Sequence, residues 1–443
     1  MKKILAILMM FALTLGANAK TAVKRDFSSV INESGIEKNA ISISIKDLNS
    51  GKPVYELNEK MLMHPASVQK LLTLPAAVDA LGEDYEFTTK IYKRNSGSFV
   101  VKLGADPYLT SDDLKKLVNN VNLETKRIYI DDSILEKKDW GEGWQWDDDL
   151  NVLMPRFNSY NLDRNLIKIT VMPTVDGQGA TIINPSKYPL VFFNHVVTGK
   201  ENNVKVSRDN SVSANTLLLE GSVNKPVTLY VPTNNLKRYF NIKLTNALGD
   251  KKVYLKENFI VDKVSANDKE LDKIAHPISI AIDDVLKNSN NMVSETVAKL
   301  AGGKAYNDRG TDINGIKVFN AYCEKQGLDT SKIRLTDASG VSKNNLVTTD
   351  FISEYLVKNK DNTVLARLAT PGQGTLTHRM LPIKENLRAK TGTLSDTSSI
   401  AGFLTTKHGN KYAFAIIIND TTSTIPDMKT LEDYLIREAF LRL

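Results

Sequence analysis

His64-Pro65-Ala66-Ser67-Val68-Gln69-Lys70-Leu71-Leu72 sets a serine three residues ahead of a lysine. Pro65 stands where a first helical turn tolerates proline, and Val68, Leu71, Leu72 and Leu74 recur at helical spacing. Residues three apart on a helix share a face, so the Ser67 hydroxyl and the Lys70 amine can touch. A serine hydroxyl is a weak nucleophile until a neighbouring base takes its proton, and a desolvated lysine can be that base. S-x-x-K is common by itself and gains meaning only from what lies further along the chain. The helix runs to about Gly82, and Pro75 inside it predicts a kink beyond Lys70 that spares the Ser67–Lys70 turn.

Outward from that turn, the N-terminus reads as an export signal. Lys2 and Lys3 lead an apolar run from Ile4 to Leu15, and Ala17-Asn18-Ala19 supplies a small-x-small cleavage site. The run is too short for a permanent membrane anchor, and no later segment is long and apolar enough to span. These features predict a periplasmic protein whose signal peptide is residues 1–19. A chain of 443 residues exceeds one ordinary domain, so two or three are expected. The formal charge of +7 suits an anionic polymer such as a cell wall. No dense basic run interleaved with aromatics argues for nucleic acid. Cys323 is the single cysteine, which excludes an intramolecular disulfide and reads as a small buried hydrophobe.

Ala40 to Ile45, with Ile41, Ile43 and Ile45 alternating, predicts a half-buried strand. Asn49-Ser50-Gly51-Lys52 turns it into a second strand at Val54–Leu57. From about Phe87 to Asp268 the chain reads as inserted material made mostly of strands, among them Ser98–Leu103, Arg127–Ile130, Leu166–Val171 and several within Thr181–Ser222. Within it, Trp140 to Asp149 gathers all three tryptophans with a carboxylate cluster, fitting either a binding surface or tryptophan packing beside a solvated acidic turn. Asn234–Leu248 reads as a helix closed by Gly249. Past Ala275 helical patterns return at Ile278–Leu286 and Val293–Leu300. A hairpin turns at His408-Gly409-Asn410 between strands Ile400–Thr405 and Lys411–Ile418, and a last helix covers Leu431–Leu443.

Two further motifs give the serine and lysine their context. Ser289-x-Asn291 follows a helical run, and Lys390-Thr391-Gly392 opens a strand. With Ser67-x-x-Lys70, in this order, they form the signature of penicillin-interacting serine acyltransferases. Ser67 attacks a carbonyl and becomes an acyl ester while Lys70 takes its proton. Ser289 relays that proton to the leaving amine, and Asn291 holds Lys70 and the substrate backbone. Lys390 sets a positive charge where a carboxylate-ended substrate docks, and Gly392 lets the strand approach closely. The N–H groups of Ser67 and Thr393 would form the oxyanion hole.

The 222 residues between Ser67 and Ser289, against 101 from Ser289 to Lys390, leave far more room than a compact β-lactamase uses. The chain resembles the D-alanyl-D-alanine carboxypeptidase/endopeptidases of the penicillin-binding protein 4 type, serine peptidase family S13. The resemblance spans nearly the whole mature chain. It rests on Pro65–Lys70, Gly104-Ala105-Asp106-Pro107, Asp131-Asp132-Ser133, Trp144-x-Trp146, Asp337-Ala338-Ser339-Gly340, Gly374-Thr375-Leu376 with Arg379, and Ala389–Leu394. It implies a multi-domain α/β fold, with a transpeptidase-like catalytic domain from residues 20–87 and 269–443. Two β-rich domains would be inserted, one from 88–167 and 231–268, the other from 168–230. It also implies cleavage of terminal D-Ala from peptidoglycan stem peptides, or of D-Ala–diaminopimelate cross-links, without metal or other cofactor. β-Lactams would acylate the same serine. Beyond the catalytic Ser67, Lys70, Ser289, Asn291 and Lys390, the substrate-binding positions would be Thr391, Gly392, Thr393, Asp148, Lys343 and Ser395. Asn290, Ala105 and Lys343 replace a frequent aspartate, glycine and arginine. In relatives a carboxylate after Trp-x-Trp faces the substrate's free ammonium; Asp148 matches best, between Asp147 and Asp149. The competing readings are a serine β-lactamase, which the long first gap disfavours, and a non-catalytic wall-binding or β-lactam-sensing module, which the intact catalytic positions disfavour.

Overall fold

The computed structural model describes residues 26–121, 128–208, 213–249 and 262–443. The expected signal peptide, 1–19, lies outside them, as does Arg127. Helix α1 (Phe27–Ser34) leads into strands β1 (Ile41–Asp47) and β2 (Pro53–Leu57), and a 3-10 turn over Ala66–Gln69 runs into α2 (Lys70–Leu81). Then come β3 (Glu86–Lys93), β4 (Phe99–Lys102), α3 (Ser111–Asn119) and β5 (Ile128–Asp131). Strands β6 (Leu166–Met172), β7 (Thr181–Ile183), β8 (Val191–Thr198), β9 (Lys205–Arg208), β10 (Thr216–Val223) and β11 (Val227–Pro232) precede α4 (Leu236–Leu248) and β12 (Lys269–Pro277). Four helices follow: α5 (Ile278–Asn288), α6 (Asn291–Tyr306), α7 (Asp312–Lys325) and α8 (Thr349–Lys358). The chain closes with β13 (Leu387–Leu394), β14 (Thr397–Thr405), β15 (Lys411–Asn419) and α9 (Ile425–Arg442).

These strands make four sheets. The largest runs β13-β14-β15-β1-β2, so the first strands of the chain complete a sheet begun by the last. β1 sits inside it, antiparallel to β15 with Ile43 opposite Ile416. On one face Ile41, Ile43 and Ile45 pack with Phe27 and Ile31 of α1 and Leu431 and Leu435 of α9. The opposite face, expected to be solvated, is covered as well. Ser42 and Ser44 are fully buried, their hydroxyls 2.8 Å from those of Thr349 and Ser353 on α8. Helices on both faces leave the strand no wet side, and its polar alternation is met by helix hydroxyls.

The second core lies among the helices. α2 is apolar around most of its girth, with Asp79 exposed near its end, which marks a helix enclosed on nearly every side. Leu71, Leu72 and Leu74 pack with Val285, Val293, Val297, Phe319, Ile352 and Tyr355. Lys70 at its first position is therefore carried into the interior. The helix continues through Pro75 to Leu81. Cys323 is buried in this core, which pushes its thiol up to about 12.

A third core joins the chain between β3 and α4. Ile91, Phe99, Leu114, Ile130, Ile167, Ile169, Val196, Leu217, Leu219 and Phe240 belong to it. β12 pairs along β3, with Ile274 opposite Thr89, returning the chain from this region to the helices. No described helix is long and apolar enough to cross a membrane. Several expected boundaries moved, among them two at the C-terminal end of the chain. Thr424 caps α9, so it starts at Ile425 rather than Leu431, with Pro426 in a first turn where its missing N–H costs nothing. Lys390-Thr391-Gly392 lies in mid-strand in β13 instead of opening a strand.

Candidate active site

Ser67 stands on the short 3-10 turn that feeds α2, after Ala66 at φ 47°, a left-handed conformation costly for a residue with a Cβ. The sheet holds that turn. Ser399 Oγ donates to Pro65 O at 2.7 Å, and His64 N donates to Asn419 Oδ1 at 2.7 Å. Two glycines make the approach possible. A Cβ on Gly392 of β13 would lie 2.8 Å from Ser67 N, and one on Gly340 only 1.9 Å from Ala66 O. Ser67 is thus wedged between strand and loop.

The Lys70 amine donates to Ser67 Oγ at 2.8 Å, Asn291 Oδ1 at 2.7 Å and the Ser339 carbonyl at 2.6 Å. It is completely buried. Burial penalises the ammonium and draws it down to about 7, against the opposing pull of Asp337 and Glu295. Near neutral pH a large fraction is the free amine, able to take the Ser67 proton.

Ser289 follows α5 at φ 63°, ψ 34°. Its turn is gripped by Asp284, which accepts from Asn288 Nδ2 and Asn290 Nδ2 at 3.0 Å each and from Tyr108 OH at 3.3 Å. Asn290 also caps α6, its Oδ1 accepting from Val293 N at 3.1 Å. An asparagine can do both because it carries a donor and an acceptor. Asn291 offers its oxygen to Lys70, while its Nδ2 donates to Leu153 O of the inserted region at 2.9 Å.

Lys390 is also fully buried, and its amine donates to Ser289 Oγ at 2.8 Å and Thr391 O at 2.7 Å. Burial, and then the charge of Lys70, hold it well below the ordinary lysine range. Thr391 Oγ1 donates to Thr375 Oγ1 at 2.7 Å. β13 is the sheet edge, and Ala389 N turns away from β14 to Ala369 O at 2.9 Å. Two-residue alternation then puts the N–H groups of Thr391 and Thr393 on that same free edge. Thr393 and Ser395 are exposed at the rim.

The loop after α7 closes the back of the site. Asp337 accepts from Trp144 Nε1 at 2.9 Å and, at 2.8 Å each, from Gly340 N, Ser342 N and Asn345 Nδ2. Buried Glu295 of α6 accepts from Ala338 N at 3.0 Å and Ser339 N at 2.7 Å. Burial, then Asp337 and Asp312, push its carboxyl up to about 8. Glu295 thereby fixes the Ala338–Ser339 peptide, and Asp337 the Ser339–Gly340 peptide whose carbonyl meets Lys70. Sequence reasoning missed Glu295 and Leu153. Glu295, four residues past Asn291 on one helix face, was the available signal; a backbone acceptor such as Leu153 O carries none.

Lys70 therefore joins Ser67 and Asn291, and Lys390 joins Ser289, with Thr391 and Gly392 alongside. The other expected positions lie further out. Lys343 pairs with Asp396 at 2.7 Å, bringing it to the β13–β14 turn beside Ser395. Trp144 is buried while Trp146 is 81 % exposed, so the tryptophan cluster divides between packing and surface. Asp148 ends the short turn Trp146–Asp148, half-buried, and Asp149 pairs with Arg208 at 2.6 Å. Arg379 is tied to Glu432 at 2.8 Å and Asp433 at 2.6 Å, bracing α9. Among the described residues no three His, Cys, Asp or Glu side chains cluster as metal ligands.

A serine held by a buried, near-neutral lysine, beside a second serine and lysine on an edge strand, defines a serine acyl-transfer hydrolase. The model of the D-Ala-D-Ala carboxypeptidase 3 (S13) family matches residues 23–437, and the chain belongs to that family of serine D-Ala-D-Ala carboxypeptidases. D-alanyl-D-alanine carboxypeptidase DacB of Haemophilus influenzae is 25% identical, over 89% of this chain and 88% of its own. A D-alanyl-D-alanine carboxypeptidase of Actinomadura sp. is 24% identical, over 92% and 82%. The fold matches the crystal structure of penicillin binding protein 4 (dacB) from H. influenzae with a TM-score of 0.81, at 23% identity, over 94% of this chain and 100% of that one.

Proposed function

We propose that this carboxypeptidase is an exported, periplasmic enzyme working on peptidoglycan through an acyl-enzyme on Ser67. It removes terminal D-Ala from pentapeptide stems and opens D-Ala–diaminopimelate cross-links. The observation that carries the reading is the Lys70 amine, drawn down to about 7 and 2.8 Å from Ser67 Oγ. In the first step Ser67 Oγ bonds to the carbonyl carbon of the penultimate D-Ala as its proton passes to Lys70. The N–H groups of Ser67 and Thr393 receive the oxyanion. The substrate carboxylate docks at Lys390 and Thr391, and Gly392 admits the peptide along the edge of β13. Collapse of the adduct breaks the C–N bond, and Ser289 passes the proton to the departing amine. Water then takes the same path in reverse, with Lys70 again the base, and releases the acid. Asp148, between Asp147 and Asp149, meets the free ammonium of the diamino-acid side chain, and Lys343 and Ser395 are further substrate-binding positions. Residues 20–87 and 269–443 act as the catalytic domain, with 88–167 plus 231–268 and 168–230 as the two inserted domains. β-Lactams acylate Ser67 because they present the same kind of amide.

Mass spectrometry of monomeric pentapeptide and cross-linked muropeptides, before and after incubation, tests the reading. Release of D-Ala and loss of dimers are expected. Ser67→Ala should abolish both, together with covalent penicillin labelling. Label persisting on that variant would place the nucleophile elsewhere.

A further inference from the structure

A cavity of ≈ 280 Å³ opens beside Ser289, lined by Val152, Leu153, Arg164, Asp284, Asn288 and Met292 among others. Among the described residues its one cationic side chain, Arg164, comes from an unusual turn. Asp163, Arg164 and Asn165 are consecutive and all left-handed, at φ 51°, 56° and 60°. Such conformations persist in residues with a Cβ only where the surroundings impose them. Here they do. Asp163 accepts from Ser111 N and Tyr239 OH at 2.8 Å each. Asn165, completely buried, donates to Arg156 O at 2.7 Å and Asn161 Oδ1 at 2.9 Å, and accepts from Leu162 N at 2.9 Å. The residue between these two anchors projects outward, with its side chain 57 % exposed.

The Arg164 guanidinium lies 5.9 Å from the Tyr108 ring centre and 3.7 Å from Asp284 Oδ2. That separation exceeds a charge-assisted hydrogen bond, and the Asp284 oxygens already serve Asn288, Asn290 and Tyr108. Among the described residues Arg164 makes no hydrogen bond, so its forked donors remain available to a planar anion.

We propose that this cavity is a subsite for the peptide strand on the leaving side of a cross-link, with Arg164 binding one of its carboxylates. This rests on the peptidoglycan reading above. Ser289 lies at the cavity edge and protonates the departing amine in that reading, so the strand carried by that amine leaves past Ser289. Val152, Leu153 and Met292 give it an apolar wall, and Arg164 selects strands that bear a further carboxylate, beyond the one docked at Lys390, over a lone D-Ala.

The test measures binding of a D-Ala–diaminopimelate cross-linked muropeptide dimer and of monomeric pentapeptide to Ser67→Ala protein, with Arg164 intact or changed to Ala or Lys. The ratio of dimer to monomer affinity should fall at least about tenfold in Arg164→Ala, as expected for losing a hydrogen bond between charged groups. Arg164→Lys should recover part of it, and a dimer amidated at every carboxylate except the one beside the scissile bond should bind equally to protein with Arg164 intact and to Arg164→Ala. An unchanged ratio, including equal loss for both ligands, overturns the subsite. Turnover by the unsubstituted enzyme is scored separately. Failure to cleave dimers would sink the endopeptidase reading without altering what the affinity ratio says about Arg164.

Discussion

Two lysines are buried equally deeply in this molecule and do opposite things. Lys299, on α6, is 1 % exposed, and its ammonium sits 2.9 Å from Glu136 and 3.0 Å from Asp312, over the ring of Phe157. Lys70 is as buried, yet its three partners are a hydroxyl, an amide oxygen and a carbonyl. Burial costs an ammonium the same hydration in either place. Only at Lys299 do touching carboxylates return it. One lysine therefore ties α6 and α7 to the inserted region, and the other is left able to shed its proton. Burial makes a lysine a base only when the acids are kept one shell away, as Glu295 and Asp337 are kept by spending their oxygens on the 337–345 loop.

Substitution at each lysine tests this contrast. The largest effect is expected at Lys70. Lys70→Ala should cut the rate of penicillin acylation by about 10³-fold, the usual scale for losing a general base, with the melting temperature held or raised. An acylation rate close to wild type would leave the base unidentified. Lys299→Ala should do the reverse. Leaving Glu136 and Asp312 uncompensated should cost about 3–5 kcal/mol in denaturant unfolding, while acylation by the remaining folded protein changes little. A loss of acylation larger than the loss of folded protein would break the distinction between the two sites. The smallest effect is expected in the Ser289 turn. Asn290→Asp keeps the cap on α6 but removes the donor that meets Asp284 and sets a second acceptor against it, so activity should fall by a few-fold. Exchanging the pair, Asn290→Asp with Asp284→Asn, restores one donor facing one acceptor and should recover the rate. A double variant no better than the single would show that the contact does not hold Ser289.

The parts legible in the sequence are those with a local cause. Ser67 and Lys70 meet because of helical spacing, and Cys323 is buried because the helix around it is apolar on that face. The Lys390–Ser289 contact was reachable only through motif order, since 101 residues separate the two. What the sequence hid depends on surroundings. The serines of β1 read as a solvated face, yet α8, three hundred residues later, covers them. Lys390-Thr391-Gly392 looked like a strand opening because alternation is weak across Arg388–Thr391, whereas pairing with β14 starts at Leu387. Glu295 looks like any helical glutamate until the Ala338–Ser339 peptide is seen to fold over it.

The central claim is that Lys70 works as the free amine at neutral pH. The second-order rate of acylation by a simple penicillin, measured from pH 5 to 10 on the wild-type enzyme, tests it most directly. Because the unprotonated form is the active one, the rate should rise about tenfold per pH unit below the transition and level off above about 7. A rate that keeps climbing toward the ordinary lysine value of 10.5, or that is flat across the range, would contradict the claim.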